Sequence, residues 1–376
     1  LPVRLVVLGA GRVGGAMVAD LVADGEFEVT VADVSAQALK RPAVAGAARK
    51  VQADLADPAA VSQIAAEHDL VVGAVPGPIG FQTLKAVVQA GRHYVDISFF
   101  EQDPFELDTL AKDRGVVALV DCGVAPGLSN LILGHHDAAS DYIDRFICYV
   151  GGLPAVRTGP FAYRAPFSPI DIIAEYTRPA RYVEGGELKV AEALEQLEQI
   201  QFPEVGTLEA FLTDGLRTLV NTVQVPDMRE KTMRYPGHAD RMLFLRELGL
   251  FSEEPIDVDG VTLAPVRLTA KLLFPFWRFQ PGEADITVMR VEVDAASDGV
   301  RSRHVYDLLD HYDPKTDTQS MARTTGYTCT AMVRLVARGL YAAPGISPPE
   351  YVGRAPGCFE SVLADLAARG VSLAKS

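Results

Sequence analysis

Gly9, Gly11 and Gly14 stand in the run Gly9-Ala10-Gly11-Arg12-Val13-Gly14, and Asp33 lies 19 positions beyond the last of them. The triplet leaves the apolar run Val3-Arg4-Leu5-Val6-Val7-Leu8. It enters a stretch in which Val13, Met17, Val18, Leu21 and Val22 recur at helical spacing. A strand, a glycine turn, a helix and then an acidic residue is the context in which such a triplet cradles a dinucleotide. Gly9 permits the tight turn, Gly11 lets a diphosphate approach the backbone, and Gly14 allows the helix to pack closely on the strand. The helix start, with Arg12 and Val13, offers unpaired N–H groups and the positive end of a dipole. Asp33 accepts hydrogen bonds from an adenosine ribose and repels a 2′-phosphate, which favours NAD over NADP, although Arg12 is a basic side chain within reach of a phosphate. An S-adenosylmethionine site, or a turn that binds nothing, would use the same glycines.

Further candidates lie where predicted strands end. Dinucleotides lie across the carboxyl ends of parallel strands, which selects Asp54, Val75-Pro76, Asp96-Ile97-Ser98 and Asp121-Cys122-Gly123; each Asp could equally serve as a helix cap or turn residue. A second dense group is Lys231-Thr232-Met233-Arg234-Tyr235-Pro236-Gly237-His238. On a strand, Lys231, Met233 and Tyr235 share one face while Thr232 and Arg234 share the other. Arg234 suits a two-pronged grip on a carboxylate. His238 could move a proton near neutrality or start the next helix. No metal is expected: the four cysteines are far apart, and His135-His136 diverge by about 100° on a helix.

These residues need a scaffold. Strands are expected at Val3–Leu8, Phe27–Asp33, from Val51 to Asp54, and at Leu70–Val75, Tyr94–Ser98 and Val116–Cys122, with helices from Pro58 to Glu67 and from Ile79 to Ala90 between them. Such alternation implies an α/β fold, a doubly wound parallel sheet of the Rossmann type. After Pro126, read as a helix start, the alternation stops. Tyr142–Val150 and Ile286–Val293 read as strands, and Gly185-Gly186, Asp259-Gly260 and Asp298-Gly299 as hairpin turns. Helices are expected from Ser168-Pro169 to Tyr176 and at Ala239–Leu248, Pro265–Leu273 and Thr330–Gly339. The second part is therefore expected to be α+β, around an antiparallel sheet.

Composition limits the partners. The chain has 376 residues, 48% hydrophobic and 22% charged, with net charge −14. That surface repels phosphate backbones and anionic lipid, so neither nucleic acid nor membrane is expected to bind. No apolar run approaches the ~18 residues of a membrane span, and no signal peptide is visible, so a cytoplasmic location is expected. Leu1 is compatible with a trimmed start.

Six stretches together resemble the saccharopine dehydrogenase-like oxidoreductases, and within them most closely the lysine 6-dehydrogenase branch. They are Leu8–Gly11, Asp121–Asn130, Tyr149–Pro154, Lys231–His238 and, more weakly, Leu208–Gly215 and Met321–Tyr327. The resemblance implies a nucleotide-binding domain at residues 1–124 completed by residues 320–376, with a substrate-binding and dimerisation domain at 125–319 inserted between. It implies a homodimer and NAD-dependent oxidative deamination of the ε-amino group of L-lysine, giving a semialdehyde that cyclises to piperideine carboxylate. For such a reaction Asp121, His238 and a desolvated Lys231 are candidate proton carriers. Arg234, helped by Thr232 and Thr213, would hold the α-carboxylate, and Asp96 or Glu175 the α-ammonium. Alternatives are a secondary-amine dehydrogenase acting on saccharopine or a carboxynorspermidine-type substrate, favoured by a second arginine among Arg164, Arg178 and Arg181, and a non-catalytic NAD-binding sensor.

Overall fold

The computed structural model describes residues 2–166, 169–280 and 282–376. It divides into two compact units, Leu1–Ala139 with Ala322–Ser372, and Ser140–Met321 with Leu373–Ser376. The predicted helix start at Ser168 falls outside the described residues. No helix among the described residues is long and apolar enough to cross a membrane.

The first unit is built on a seven-stranded sheet in the order Gly345–Ser347, Val117–Leu119, His93–Asp96, Leu70–Gly73, Val3–Leu8, Phe27–Asp33 and Arg49–Gln52. Every pairing is parallel. Helices Arg12–Ala23, Pro58–Ala66 and Gly77–Gln89 connect successive strands. Covering both faces buries Leu5, Val6, Val7 and Leu8 completely, which is why these strands are unbroken apolar runs. The side chain of Asp57 caps the helix that Pro58 opens, accepting from the Ala59 N–H.

Three expectations need correction here. The third strand is Arg49–Gln52, so it ends before Asp54. Pro126 does not start a helix; it follows Ala125 through a cis peptide, and Gly127, at φ 139°, turns the chain into the helix Leu128–Ala139. That helix belongs to the first unit, so the cut falls after Ala139 rather than at 124. Gly134 and Gly353 explain why: a Cβ on either would lie 2.1–2.2 Å from a carbonyl oxygen of the opposing helix, Leu128–Ala139 or Pro349–Arg354.

The second unit has a long sheet in the order Glu198–Phe202, Gly206–Leu212, Asp227–Arg234, Tyr142–Pro154, Asp285–Ser297, Val300–His311 and Leu373–Lys375. The hairpin Ala180–Glu184 with Glu187–Ala191 joins Asp227–Arg234 through Met228 and Val183. The sheet is mixed rather than antiparallel, because Asp227–Arg234 runs parallel to Tyr142–Pro154. Helices Pro169–Thr177, His238–Glu247 and Pro265–Trp277 contribute to an apolar cluster that also takes in Tyr163 and Phe211. The helix expected at Thr330 starts earlier, at Ser320. The carboxylate of Asp285 caps it, accepting from the N–H groups of Ser320 (2.7 Å) and Met321 (2.9 Å).

Candidate functional site

In the first unit the glycine loop has the shape its sequence requires. Gly9 sits at φ 113°, and a Cβ on it would lie 2.4 Å from the Ala74 carbonyl oxygen. A Cβ on Gly14 would lie 2.0 Å from the Gly9 oxygen, whereas one on Gly11 would meet nothing within 4 Å. Gly11 is the N-cap of the helix Arg12–Ala23, with no capping side chain and no acidic residue in the first turn. A helix start that carries no capping side chain and no nearby carboxylate suits an anion. Asp33 ends the neighbouring strand, its Oδ2 accepting from the Ala10 N–H and its Oδ1 from the Ser35 N–H, both at 2.7 Å. These hydrogen bonds fix a carboxylate beside the loop, and the residues fit an adenine dinucleotide. Arg41, which the sequence reading missed, lies with Nη1 3.5 Å from the Ala10 oxygen.

Val75, Pro76, Ile97 and Asp121 lie at the carboxyl edge of the same sheet, where Asp121 adopts φ 56°. Three expected contacts change. Asp54 makes a turn, its Oδ1 accepting from the Ala56 N–H. The Cys122 side chain is fully buried, with its thiol toward the Val120 carbonyl, so only its backbone could touch a ligand. Asp96 is also fully buried, accepting from the Ser98 N–H (2.9 Å) and hydroxyl (2.7 Å). Burial pushes its carboxyl up to about 7 against those two hydrogen bonds. It offers no surface to a substrate ammonium group.

The second unit gathers the other candidates on one face of the strands Gly206–Leu212 and Asp227–Arg234. Arg234 Nη2 donates to Glu175 Oε2 at 2.5 Å and to the Tyr163 hydroxyl at 3.3 Å, with its guanidinium 4.4 Å from the Tyr163 ring centroid. Its Nε is buried and has no hydrogen-bond partner among the described residues. Thr213 donates to Glu230 Oε2 at 2.6 Å, and the Thr213 and Thr232 hydroxyls are 2.8 Å apart. Burial pushes the Glu230 carboxyl up to about 8. The sequence reading missed Glu230, although strand alternation puts it on the face of Thr232 and Arg234. Tyr163 comes from a proline-rich loop with no local signal.

Two proposed proton carriers are placed elsewhere. Lys231 lies on the opposite face of the sheet, where its ammonium pairs with Glu198 at 2.5 Å and donates to the Gln196 carbonyl at 2.7 Å. His238 is buried, with Nδ1 3.0 Å from the Phe161 carbonyl and Nε2 2.9 Å from the Tyr176 hydroxyl. Nδ1–H donates to the carbonyl, so Nε2 accepts from the tyrosine. Burial, with the Arg234 charge added, pushes this imidazole down to about 3. A neutral ring with both nitrogens engaged holds structure rather than carrying a proton. The next helix is capped from a distance by Glu209, which accepts from the N–H groups of Gly237 (2.7 Å) and Ala239 (2.5 Å).

A parallel sheet with a glycine loop and an acidic second strand is a Rossmann-type nucleotide-binding unit, here with a second unit built on a mixed sheet. Residues 5–119 match the family model described as the saccharopine dehydrogenase NADP binding domain, and residues 123–371 match the saccharopine dehydrogenase C-terminal domain. The chain belongs to the saccharopine dehydrogenase family. It is 22% identical to the saccharopine dehydrogenase [NADP(+), L-glutamate-forming] of Pyricularia oryzae, over 92% of this chain and 93% of that protein. It is 21% identical to the carboxyaminopropylagmatine dehydrogenase of Synechocystis, over 70% of this chain and 69% of that protein. The solved structure of apo saccharopine dehydrogenase (L-Glu forming) from Saccharomyces cerevisiae superposes with a TM-score of 0.80 at 18% identity, covering 100% of this chain and 99% of that one.

Proposed function

We propose that the chain oxidises the ε-amino carbon of L-lysine with NAD⁺ to an imine, which water hydrolyses to release ammonia and a semialdehyde that cyclises onto its own α-amine. The observation that carries this reading is the Arg234–Glu175 pair. A buried guanidinium beside a carboxylate that keeps 37% of its side chain exposed complements the α-carboxylate and α-ammonium of a free amino acid. Thr232 and Thr213 supply hydroxyls on the same strand face. A saccharopine-type substrate carries further carboxylates, and two arginines that could receive one are committed. Arg181 forks onto Asp214 at 2.8 and 2.9 Å, and Arg164 pairs with Glu283 at 3.1 Å.

When bound, the dinucleotide supplies the acceptor for the two electrons that leave the substrate. Gly11 and the helix N–H groups would hold its diphosphate and Asp33 its adenosine ribose; the Asp33 charge supports NAD over NADP, in contrast to the cofactor named for the fungal relatives. The substrate amine, with an ordinary pKa of about 10.4, must lose a proton before it can be oxidised. Asp121 is the proton carrier that this reading retains from the sequence.

The fungal relatives favour a second reading, a saccharopine-type secondary-amine dehydrogenase. A panel of lysine, ornithine, saccharopine and carboxynorspermidine, each with NAD⁺ and NADP⁺, separates the two when reduced cofactor is followed at about 340 nm. Lysine with NAD⁺ is expected to give the highest kcat/KM. A higher value with saccharopine would reverse the assignment, and no reduction with any amine would indicate a binding protein.

A further inference from the structure

Beside Arg234 the second unit buries a carboxyl group that the proposed reaction leaves without a task. Alternation along the strand Asp227–Arg234 puts Glu230, Thr232 and Arg234 on one face. The neighbouring strand runs antiparallel with Leu212 opposite Lys231, so Thr213 stands across from Glu230, and its N–H donates to the Glu230 carbonyl at 3.4 Å. Thr232 lies diagonal to Thr213. All four residues are at most 7% exposed. Three oxygens form a continuous row: Glu230 Oε2 is 2.6 Å from Thr213 Oγ1, which is 2.8 Å from Thr232 Oγ1. The row ends at Thr232, whose hydroxyl has no other partner among the described residues. About 7 Å further along the strand is Arg234. Its buried Nε–H also lacks an acceptor among those residues, and an anion lying there would supply one.

Each hydroxyl has one proton to give, so the inner end of the row fixes the direction of every bond in it. An ionised Glu230 can only accept. Thr213 then donates to Glu230, Thr232 donates to Thr213, and Thr232 turns lone pairs toward the open end. A protonated Glu230 reverses the order. The carboxyl donates to Thr213, Thr213 donates to Thr232, and the Thr232 proton points outward.

The surroundings favour the second order. Burial, with the charges of Glu175 and Asp214 added, pushes the Glu230 carboxyl up to about 8, against the Thr213 hydroxyl and the Gly215 N–H that favour its ionised form. Those two neighbours are themselves paired, Glu175 with Arg234 and Asp214 with Arg181. On the strand Tyr142–Pro154 the residue opposite Glu230 is the buried Cys148. Glu209, opposite Arg234, is spent on the cap of the next helix. We infer that Glu230 is a positioning residue which, as a neutral acid, turns the Thr232 proton toward a carboxylate held by Arg234 and so makes this subsite select anions. The inference rests on the reading of Arg234 as the holder of a substrate carboxylate.

Hexanoate tests this arrangement apart from the oxidation, because it carries a carboxylate that stays ionised above neutrality and no amine. Titrated calorimetrically into the full chain with excess NAD⁺, it should bind at least ~tenfold more weakly at about pH 9.5 than at about pH 6.5, as a charge-assisted hydrogen bond is lost. Glu230→Gln keeps a donor toward Thr213 at every pH and should abolish that dependence. Thr232→Val keeps the shape and removes the hydroxyl; it should weaken hexanoate at least ~fivefold at about pH 6.5 and show no fall in affinity as pH rises. A Glu230 that only held structure would leave the parent pH slope in Glu230→Gln. That result, or a slope surviving in Thr232→Val, overturns the inference while Arg234 keeps its role. No binding of hexanoate by the parent chain at any pH would remove the carboxylate subsite itself, and both readings with it.

Discussion

At the scale of single residues, burial rather than residue type sets the chemistry. Glu230 is an ordinary carboxylate by sequence, yet its folded form holds a proton up to about pH 8, because burial outweighs the Thr213 hydrogen bond that favours the charge. An unfolded glutamate loses that proton near 4.3. Between those two values the folded state binds the extra proton, so the stabilisation is complete below the lower one and is lost as pH rises through the upper. Glu230→Gln keeps a partner for Thr213 and has no proton to lose. The thermal midpoint of the parent chain should fall from about pH 5 to about pH 9, and that of the variant by several degrees less. Equal slopes would mean that Glu230 is ionised in the folded protein. Asp96, pushed up to about 7, and Asp285, pushed up to about 6, act with the same sign and leave a residual slope in both. The same principle limited what could be read from the sequence. Residue type and strand alternation pointed to Arg234 and Thr232, and the family resemblance to Thr213, but the immersion of His238 depends on Phe161 and Tyr176, some 60–80 positions away in the chain.

At the scale of elements, local chemistry was legible and distant pairing was not. Short apolar runs alternating with helical periodicity marked the parallel strands, because burial on both faces removes polar residues from the pattern. The glycine hairpins likewise announce themselves, since few other residues accept positive φ. The mixed character of the second sheet depends on Asp227–Arg234 lying beside Tyr142–Pro154, and nothing in either strand states its neighbour. The caps supplied by Asp285 to Ser320 and by Glu209 to Gly237 are equally remote. The glycine loop permits a prediction that separates fold from binding. Gly11→Ala places a methyl in open space at an ordinary φ of −63°, so the thermal midpoint should stay within about 1 °C. Dinucleotide affinity should nevertheless drop about tenfold or more, because the methyl occupies the side from which a diphosphate approaches. Gly14→Ala drives a methyl into the Gly9 carbonyl and should lower both. Calorimetric titration with NAD⁺ beside a thermal melt distinguishes these outcomes; undiminished affinity in Gly11→Ala would place the diphosphate elsewhere.

At the scale of the whole molecule, the first unit is assembled from both ends of the chain. The strand Gly345–Ser347 extends the sheet beside Val117–Leu119, and a buried ionic network fastens the returning segment to the first helix. Arg334, 1% exposed, pairs with Asp20 at 2.8 Å and with Asp24, and Arg369 contacts the same two carboxylates. Such a network adds little over an apolar replacement of all its members, but removing one cation strands the charges left behind, at a typical cost of 3–5 kcal/mol. Arg369 remains to share the load, so Arg334→Met is expected to destabilise the first unit by about 3 kcal/mol, the lower end of that range. Native-state hydrogen exchange locates the loss. Amides of Val3–Leu8 and Gly345–Ser347 should exchange faster in the variant, while those of Asp285–Ser297 keep the parent rate. Uniform acceleration in both units would show that they unfold as one cooperative body, and no acceleration in either would show that Arg369 alone suffices to hold the two ends of the chain together.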